Sequence, residues 1–197
     1  MKLSFDYMKM RRADREITDF DEILDVLRRA DTIRLGMNGD PYPYVVPLSY
    51  GFEALDDCGA EEYKEVKSGR VAMGGRVAAG VAGAATGGRV AVYVHGASVG
   101  LKHDLLARDK RVCVEAGIFH RYVKYGEGAG SGITTEYESV VGFGEAEVVT
   151  GEEARRGMDL ILEHCGYPGF EYATPAPGVM TILKFTLNHI SGKRRFV

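Results

Sequence analysis

Tyr137-Glu-Ser-Val-Val-Gly-Phe-Gly-Glu-Ala-Glu-Val-Val149 is a long run of strand-forming residues interrupted by two glycines, Gly142 and Gly144. Glycine inside such a run marks bending or a close backbone approach, and a long strand with glycine kinks suits a barrel. Toward the N-terminus, across the loop-like Gly126-Glu-Gly-Ala-Gly-Ser-Gly132, Arg111 to Phe119 reads as a further strand. Arg89-Val-Ala-Val-Tyr-Val-His95 alternates, with Val90, Val92 and Val94 on one side and Ala91, Tyr93 and His95 on the other. Thr32-Ile-Arg-Leu-Gly-Met37 and Tyr42 to Phe52, joined by the turn chemistry of Asn38-Gly-Asp-Pro41, predict a β-hairpin. Pro47 removes a ladder donor from its second arm and favours an edge or a bulge. Val179 to Ile190 predicts the last strand, ending before the basic Lys193-Arg-Arg195.

Three helices interrupt these strands. Phe20, Ile23, Leu24 and Leu27 recur at helical spacing between Thr18 and Ala30, with Thr18 or Asp19 as cap. A short helix is expected over Leu101 to Arg108. Another spans Glu152 to Cys165, with Ala154, Met158, Ile161, Leu162 and Cys165 as its apolar stripe, Glu152 and Glu153 at its start and Gly166 as its stop. About six strands in antiparallel hairpins with three helices define an α+β, mainly β fold, a small antiparallel barrel. Regular βαβ alternation, which a parallel dinucleotide-binding sheet needs, is absent.

The length of 197 residues suits a single domain over 1–197, and 45 % hydrophobic with 27 % charged residues suits a folded chain with a real core. A net charge of -3 argues against a dedicated nucleic-acid binder. No apolar run reaches the roughly 20 residues of a membrane span, and the N-terminus turns charged too early for a signal peptide, so a cytoplasmic location is expected. Cys58, Cys113 and Cys165 lie far apart in an odd number and read as reduced thiols. Asp56 to Gly88, rich in glycine and alanine, is expected to be a mobile hairpin insertion at about 56–88. It lacks the spacing of a phosphate-binding loop.

His95-Gly-Ala-Ser-Val-Gly-Leu-Lys102 joins a strand to a helix through small residues and puts a lysine on the first turn. Helix-start N–H groups and an ammonium there suit a phosphate or carboxylate, while a plain turn with Lys102 in water fits the same residues. His95 reads either as a ligand contact and proton donor or as a strand-end histidine bonded to backbone. His103, His120, His164 and His189 show no metal-ligand spacing, and no metal is expected.

Met10-Arg-Arg-x-Asp-Arg-Glu-Ile17, Pro43-Tyr-Val-Val-Pro-Leu-Ser-Tyr-Gly51, His95-Gly-Ala-x-x-Gly-x-Lys102, Asp104-Leu-Leu106, Arg111-Val-Cys113, Tyr137-Glu-Ser-Val-Val-Gly-Phe-Gly-Glu-Ala146 and Ile190-Ser-Gly-Lys193 stand in one order along the chain. Together they resemble the nitroimidazole-resistance, flavin-nucleotide-binding branch of the pyridoxamine 5'-phosphate oxidase-like proteins. That resemblance implies an antiparallel split β-barrel, a homodimer with FMN at the subunit interface. Carried over by position, Val46, Pro47, Leu48 and Ser49 would run along the isoalloxazine edge. His95, Gly96, Ala97 and Lys102 would wall the phosphate and ring, and Tyr137, Ser139 and Val140 would approach from the partner. Leu101 stands where the family often has a basic residue, leaving one charge fewer near the phosphate. The implied activity is an FMN-dependent oxidoreductase that passes electrons from a reduced nicotinamide to a small acceptor such as a nitroaromatic. A flavin-nucleotide carrier or sensor without turnover, and a haem-binding split barrel with His95 as axial ligand, are the alternatives.

Overall fold

A computed structural model describes residues 10–55, 88–173 and 178–197. The expected insertion, Cys58 among it, therefore lies almost wholly outside the described residues, as does most of the charged N-terminal start. The elements in order are β1 (Glu16–Ile17), α1 (Phe20–Arg29), β2 (Ile33–Met37), β3 (Tyr44–Leu48), β4 (Gly51–Leu55), β5 (Arg89–Ala97), α2 (Leu101–Arg108), β6 (Arg111–Tyr125), β7 (Gly132–Val149), α3 (Gly151–His164) and β8 (Met180–Arg195). Every strand pairing is antiparallel.

The sheet runs β3-β2-β6-β7-β8-β5-β4, with β1 added on β8. Its two outermost strands, β3 and β4, are consecutive in the chain and separated only by Ser49 and Tyr50. Seven flat strands would set those edges roughly 29 Å apart at ~4.8 Å per strand. The three Cα steps from Leu48 to Gly51 reach about 11 Å at most. The sheet must therefore curl on itself, and because β3 and β4 do not pair, the barrel stays split along that seam. Gly142 and Gly144 serve the curl: a Cβ on Gly144 would lie 1.9 Å from the Thr186 carbonyl oxygen, beside the register shift between Phe143 and Gly144.

The interior holds Leu35, Val90, Val92, Val94, Val114, Val140, Phe185 and Leu187, closed by Ile23, Val26 and Leu27 of α1. Asp19 caps that helix by accepting from the Asp21 N–H at 2.8 Å. On the outside, α3 packs Ile161 against Ala91, Tyr93 and Ile182, so the two faces of β5 feed two different apolar clusters, as its alternation predicts. No helix among the described residues is long and apolar enough to cross a membrane.

Several boundaries differ from the expectation. The predicted strand Tyr42 to Phe52 breaks at Ser49–Tyr50, where the chain crosses from one sheet edge to the other. Tyr50 anchors the crossing, its buried hydroxyl donating to the Leu27 and Ala30 carbonyls at 2.5 and 3.2 Å. Pro47 sits on an edge strand, paired on one side only, opposite Arg34. β6 and β7 extend past Phe119 and Tyr137 into a two-stranded arm, paired to each other from Arg121–Glu136 to Tyr125–Gly132. β8 continues through the basic Lys193-Arg-Arg195 because β7 and β1 flank it there. Cys165 lies beyond α3 and is exposed, off the expected stripe, while Gly166 stops the helix at φ +88°.

Candidate functional site

The seam brings the two central sequence segments together. The β4–β5 ladder ends at Gly51–Tyr93, yet β5 runs on to Ala97, paired with β8 alone. Residues 94–97 thus keep one backbone edge free, and so does β3 on the side away from β2. Free N–H and C=O groups on two diverging strands are what the polar rim of a flat heterocycle needs.

Val46 and Leu48 turn their side chains against the core, whereas Pro47 and Ser49 are exposed, so this stretch offers the seam backbone groups and the Ser49 hydroxyl. Gly96 lies directly under Lys102: a Cβ there would stand 2.8 Å from the Lys102 Nζ. Lys102 is half-buried, makes no ion pair with the described residues, and burial pushes its pKa below the ordinary lysine value. Around it, α2 starts at Gly100, whose φ of +120° suits glycine, with no side chain capping the helix N-terminus. The His103 and Asp104 N–H groups bond back to the Gly100 carbonyl at 2.9 and 3.2 Å, which leaves the Leu101 and Lys102 N–H groups at the helix start. His103 also bonds the Ala97 carbonyl at 2.7 Å and pins the loop.

His95 is exposed at the end of β5, and its side chain has no hydrogen-bond or ion-pair partner among the described residues. Strand alternation sets it on the face opposite Gly96, so it does not converge with Lys102. Tyr137 and Ser139 point outward from β7, away from the seam of their own subunit. Val140 does not share their face: it is 2 % exposed inside the barrel, because alternation turns it inward, and its side chain cannot meet a partner's ligand.

Sequence reading left unassigned the basic residues that gather around Tyr137. Arg15 and Lys193 flank its hydroxyl, the Lys193 Nζ stands 6.0 Å from the ring centroid, and Arg195 is its neighbour across the ladder. Burial alone would raise the Tyr137 phenol, but the two cations outweigh it and hold its pKa below the ordinary tyrosine value. The signal lay in Met10-Arg-Arg-x-Asp-Arg and Ser-Gly-Lys193, segments far apart in sequence that β1 and β8 bring side by side. Among the described residues no group of His, Cys, Asp and Glu side chains is arranged to hold a metal ion.

The described residues thus form a split, antiparallel barrel with an uncapped helix start and a half-buried lysine at its seam. The family model for pyridoxamine 5'-phosphate oxidase matches residues 19–194, and the chain belongs to that family. Among solved structures, a proposed 5-nitroimidazole antibiotic resistance protein of Bacteroides thetaiotaomicron is similar at 22 % identity and a TM-score of 0.62, over 90 % of this chain and 85 % of that one. A flavocytochrome of Azotobacter vinelandii matches at 15 % identity and a TM-score of 0.63, over 95 % and 72 %. An FAD- and haem-binding protein of Mycobacterium smegmatis matches at 16 % and 0.62, over 93 % and 74 %. At these identities the likenesses establish the split-barrel fold. No curated protein matches the sequence.

The residues present fit a flavin nucleotide. Gly96 leaves the room in which the Lys102 Nζ sits, Lys102 carries an ammonium unmatched by carboxylate among the described residues, and the seam supplies unpaired backbone groups.

Proposed function

We propose that this protein is an FMN-binding flavoprotein, an oxidoreductase that passes electrons from a reduced nicotinamide to a small acceptor such as a nitroaromatic. The observation that carries the reading is the half-buried, unpaired Lys102 ammonium packed on Gly96 at the open seam. A buried cation without a counter-charge is costly unless a ligand supplies one, and a phosphate does so. Bound FMN would supply the redox chemistry itself. The chain's tasks are then to bind, orient and exclude. Lys102 and the α2 N-terminus hold the phosphate, the β3 edge and Ser49 meet the polar rim of the ring, and Gly96 and Ala97 keep the ring wall thin. As the candidate to give a proton to the reduced acceptor, His95 serves one bound on the β5 face opposite Gly96 and Lys102, where its side chain is exposed.

The same reading makes the protein a homodimer. α3 covers β4, β5 and β8, while the outer face of β3 and β6 leaves Val45 59 % and Phe119 58 % exposed. A second subunit covering that face would present its Tyr137 and Ser139 toward the first subunit's seam.

The visible spectrum of the purified protein, with mass identification of what acid releases, tests the proposal. Oxidised-flavin bands and released FMN, bleached by a nicotinamide donor and restored by a nitroaromatic, are expected. FMN that no donor reduces would make the protein a carrier or sensor, and a Soret band absent in His95→Ala would replace flavin by haem. A colourless protein that takes up no added FMN would overturn the reading.

A further inference from the structure

The turn from β5 into α2 presents backbone N–H groups because its carbonyls are engaged elsewhere. The Val99, Gly100, Leu101 and Lys102 N–H groups have no hydrogen-bond partner among the described residues. The Gly100 carbonyl is turned into the helix, where it accepts from the His103 and Asp104 N–H groups. The Ala97 carbonyl is held by the His103 side chain, with the ring Nε2 at 2.7 Å. A carbonyl oxygen only accepts, so this nitrogen carries the hydrogen and donates it. The Ser98 hydroxyl donates to the Gly178 carbonyl ahead of β8, and so is spent on the fold rather than on a ligand.

Charge is scarce in the same turn. Leu101 is apolar and exposed, Asp104 adds a negative charge, and Lys102 is the only lysine or arginine of the first helical turn. An anion seated there depends on the N–H groups as much as on the ammonium, and a carbonyl swung among them would repel it. Ala97 is the last residue of β5, paired with Met180 of β8. With the β4 ladder ended at Tyr93, no strand steadies this peptide from that side. The link to His103 ties the end of the strand to the first turn of the helix, and so fixes the turn from both of its ends.

We propose that His103 is a positioning residue for the cofactor phosphate: its bond to the Ala97 carbonyl keeps the turn in the form that aims its N–H groups at the anion. His103 acts through the Ala97 peptide and the N–H groups beyond it, not by touching the phosphate. This role rests on the flavoprotein reading only in naming the anion.

Titration of the full chain, as wild type, His103→Leu and His103→Gln, with FMN and with riboflavin tests this, because riboflavin shares the ring and lacks the phosphate. Leucine keeps bulk and helix propensity but cannot donate, whereas glutamine restores an N–H donor at a similar reach. His103→Leu is expected to weaken FMN at least fivefold and riboflavin less than twofold, with His103→Gln recovering most of the loss. The two ligands are compared within each protein, so a loss of stability that affects both cancels. Equal weakening of both flavins, FMN affinity unchanged in His103→Leu, or a glutamine variant no better than leucine would overturn the proposal. Where riboflavin binds too weakly to titrate, or no flavin binds, calorimetry with inorganic pyrophosphate reads the anion site directly. Pyrophosphate should bind the wild type, at least fivefold more weakly His103→Leu, and again more tightly His103→Gln. Equal binding by all three, or by none, would overturn the positioning role. The expected pyrophosphate pattern without any flavin uptake would overturn the flavoprotein reading alone.

Discussion

Gly96→Ala offers a sharp test of the seam, because the structure says which atom it disturbs. Gly96 lies in the regular β5–β8 ladder opposite Thr181, so alanine meets no backbone strain there. Its Cβ would stand 2.8 Å from the Lys102 Nζ, and a relaxed carbon–nitrogen contact needs ~3.5 Å, so the ammonium must retreat by about 0.7 Å. Removing the ammonium altogether, in Lys102→Ala, should cost FMN about 1.5–3 kcal/mol, the worth of a charge-assisted hydrogen bond. That is roughly 10- to 150-fold in Kd. A retreat that stretches the contact but keeps the charge nearby should cost about 1 kcal/mol, roughly fivefold. In the Lys102→Ala background the added methyl has nothing to push, and Gly96→Ala should then change affinity by less than about 0.3 kcal/mol. Flavin fluorescence titrations of the four proteins at one fixed ionic strength complete the cycle. Equal losses from Gly96→Ala in both backgrounds would refute the reasoning and make Gly96 a direct contact. No loss in Lys102→Ala would remove the phosphate from this corner.

Three further outcomes are expected. Glu138, 5 % exposed, accepts from Arg29 at 2.8 and 3.0 Å and meets His120 at 3.0 Å; Arg29 chiefly, against burial and with help from His120, holds its pKa below the ordinary glutamate value. A depressed folded-state pKa contributes stability above the unfolded value of ~4.3 that is lost as pH falls through the folded one. Glu138→Gln should therefore melt lower at pH 7, by about 1–3 kcal/mol since Arg29 is partly exposed, and the gap to wild type should narrow toward pH 3; a gap independent of pH would contradict this origin. Tyr50→Phe strips a donor from two helix-end carbonyls and should lose about 1–3 kcal/mol in urea unfolding, with an unchanged value counting against the anchor. Replacing residues 57–87 by a short turn should preserve both melting temperature and FMN affinity, since Leu55 and Arg89 are already ladder partners, and loss of flavin with the fold intact would show that the segment serves the site.

The periodicity of β5, the turn chemistry before β3 and the caps of α1 and α3 are local properties. Each depends on residues within one element, and so the sequence alone determined that the chain is mainly β with three helices, where α2 begins and ends, and that His95 to Lys102 makes a strand-to-helix junction. Pro47 announced an edge or a bulge for the same reason, since a missing N–H needs no partner to be recognised, and the fold makes it an edge. The extents of β6, β7 and β8 could not be read this way. Arg194 and Arg195 look like a solvated tail, and only pairing with Glu138 and Tyr137 across the ladder keeps them in a strand. The break at Ser49–Tyr50 is likewise invisible locally, because it arises from the need to join the two edges of a curled sheet.

For the candidate site, the sequence supplied the junction and the lysine, while the tertiary structure decided what faces what. Alternation across a strand is exact over a few residues but its sign is set by the core. That is why Val140 turned inward, His95 parted from Gly96, and Val46 and Leu48 proved to offer backbone to the seam. The cationic corner needed the fold most of all. Arg15 and Lys193 stand at opposite ends of the sequence, and charge–charge proximity between them exists only because β1 closes on β8, bringing both to Tyr137.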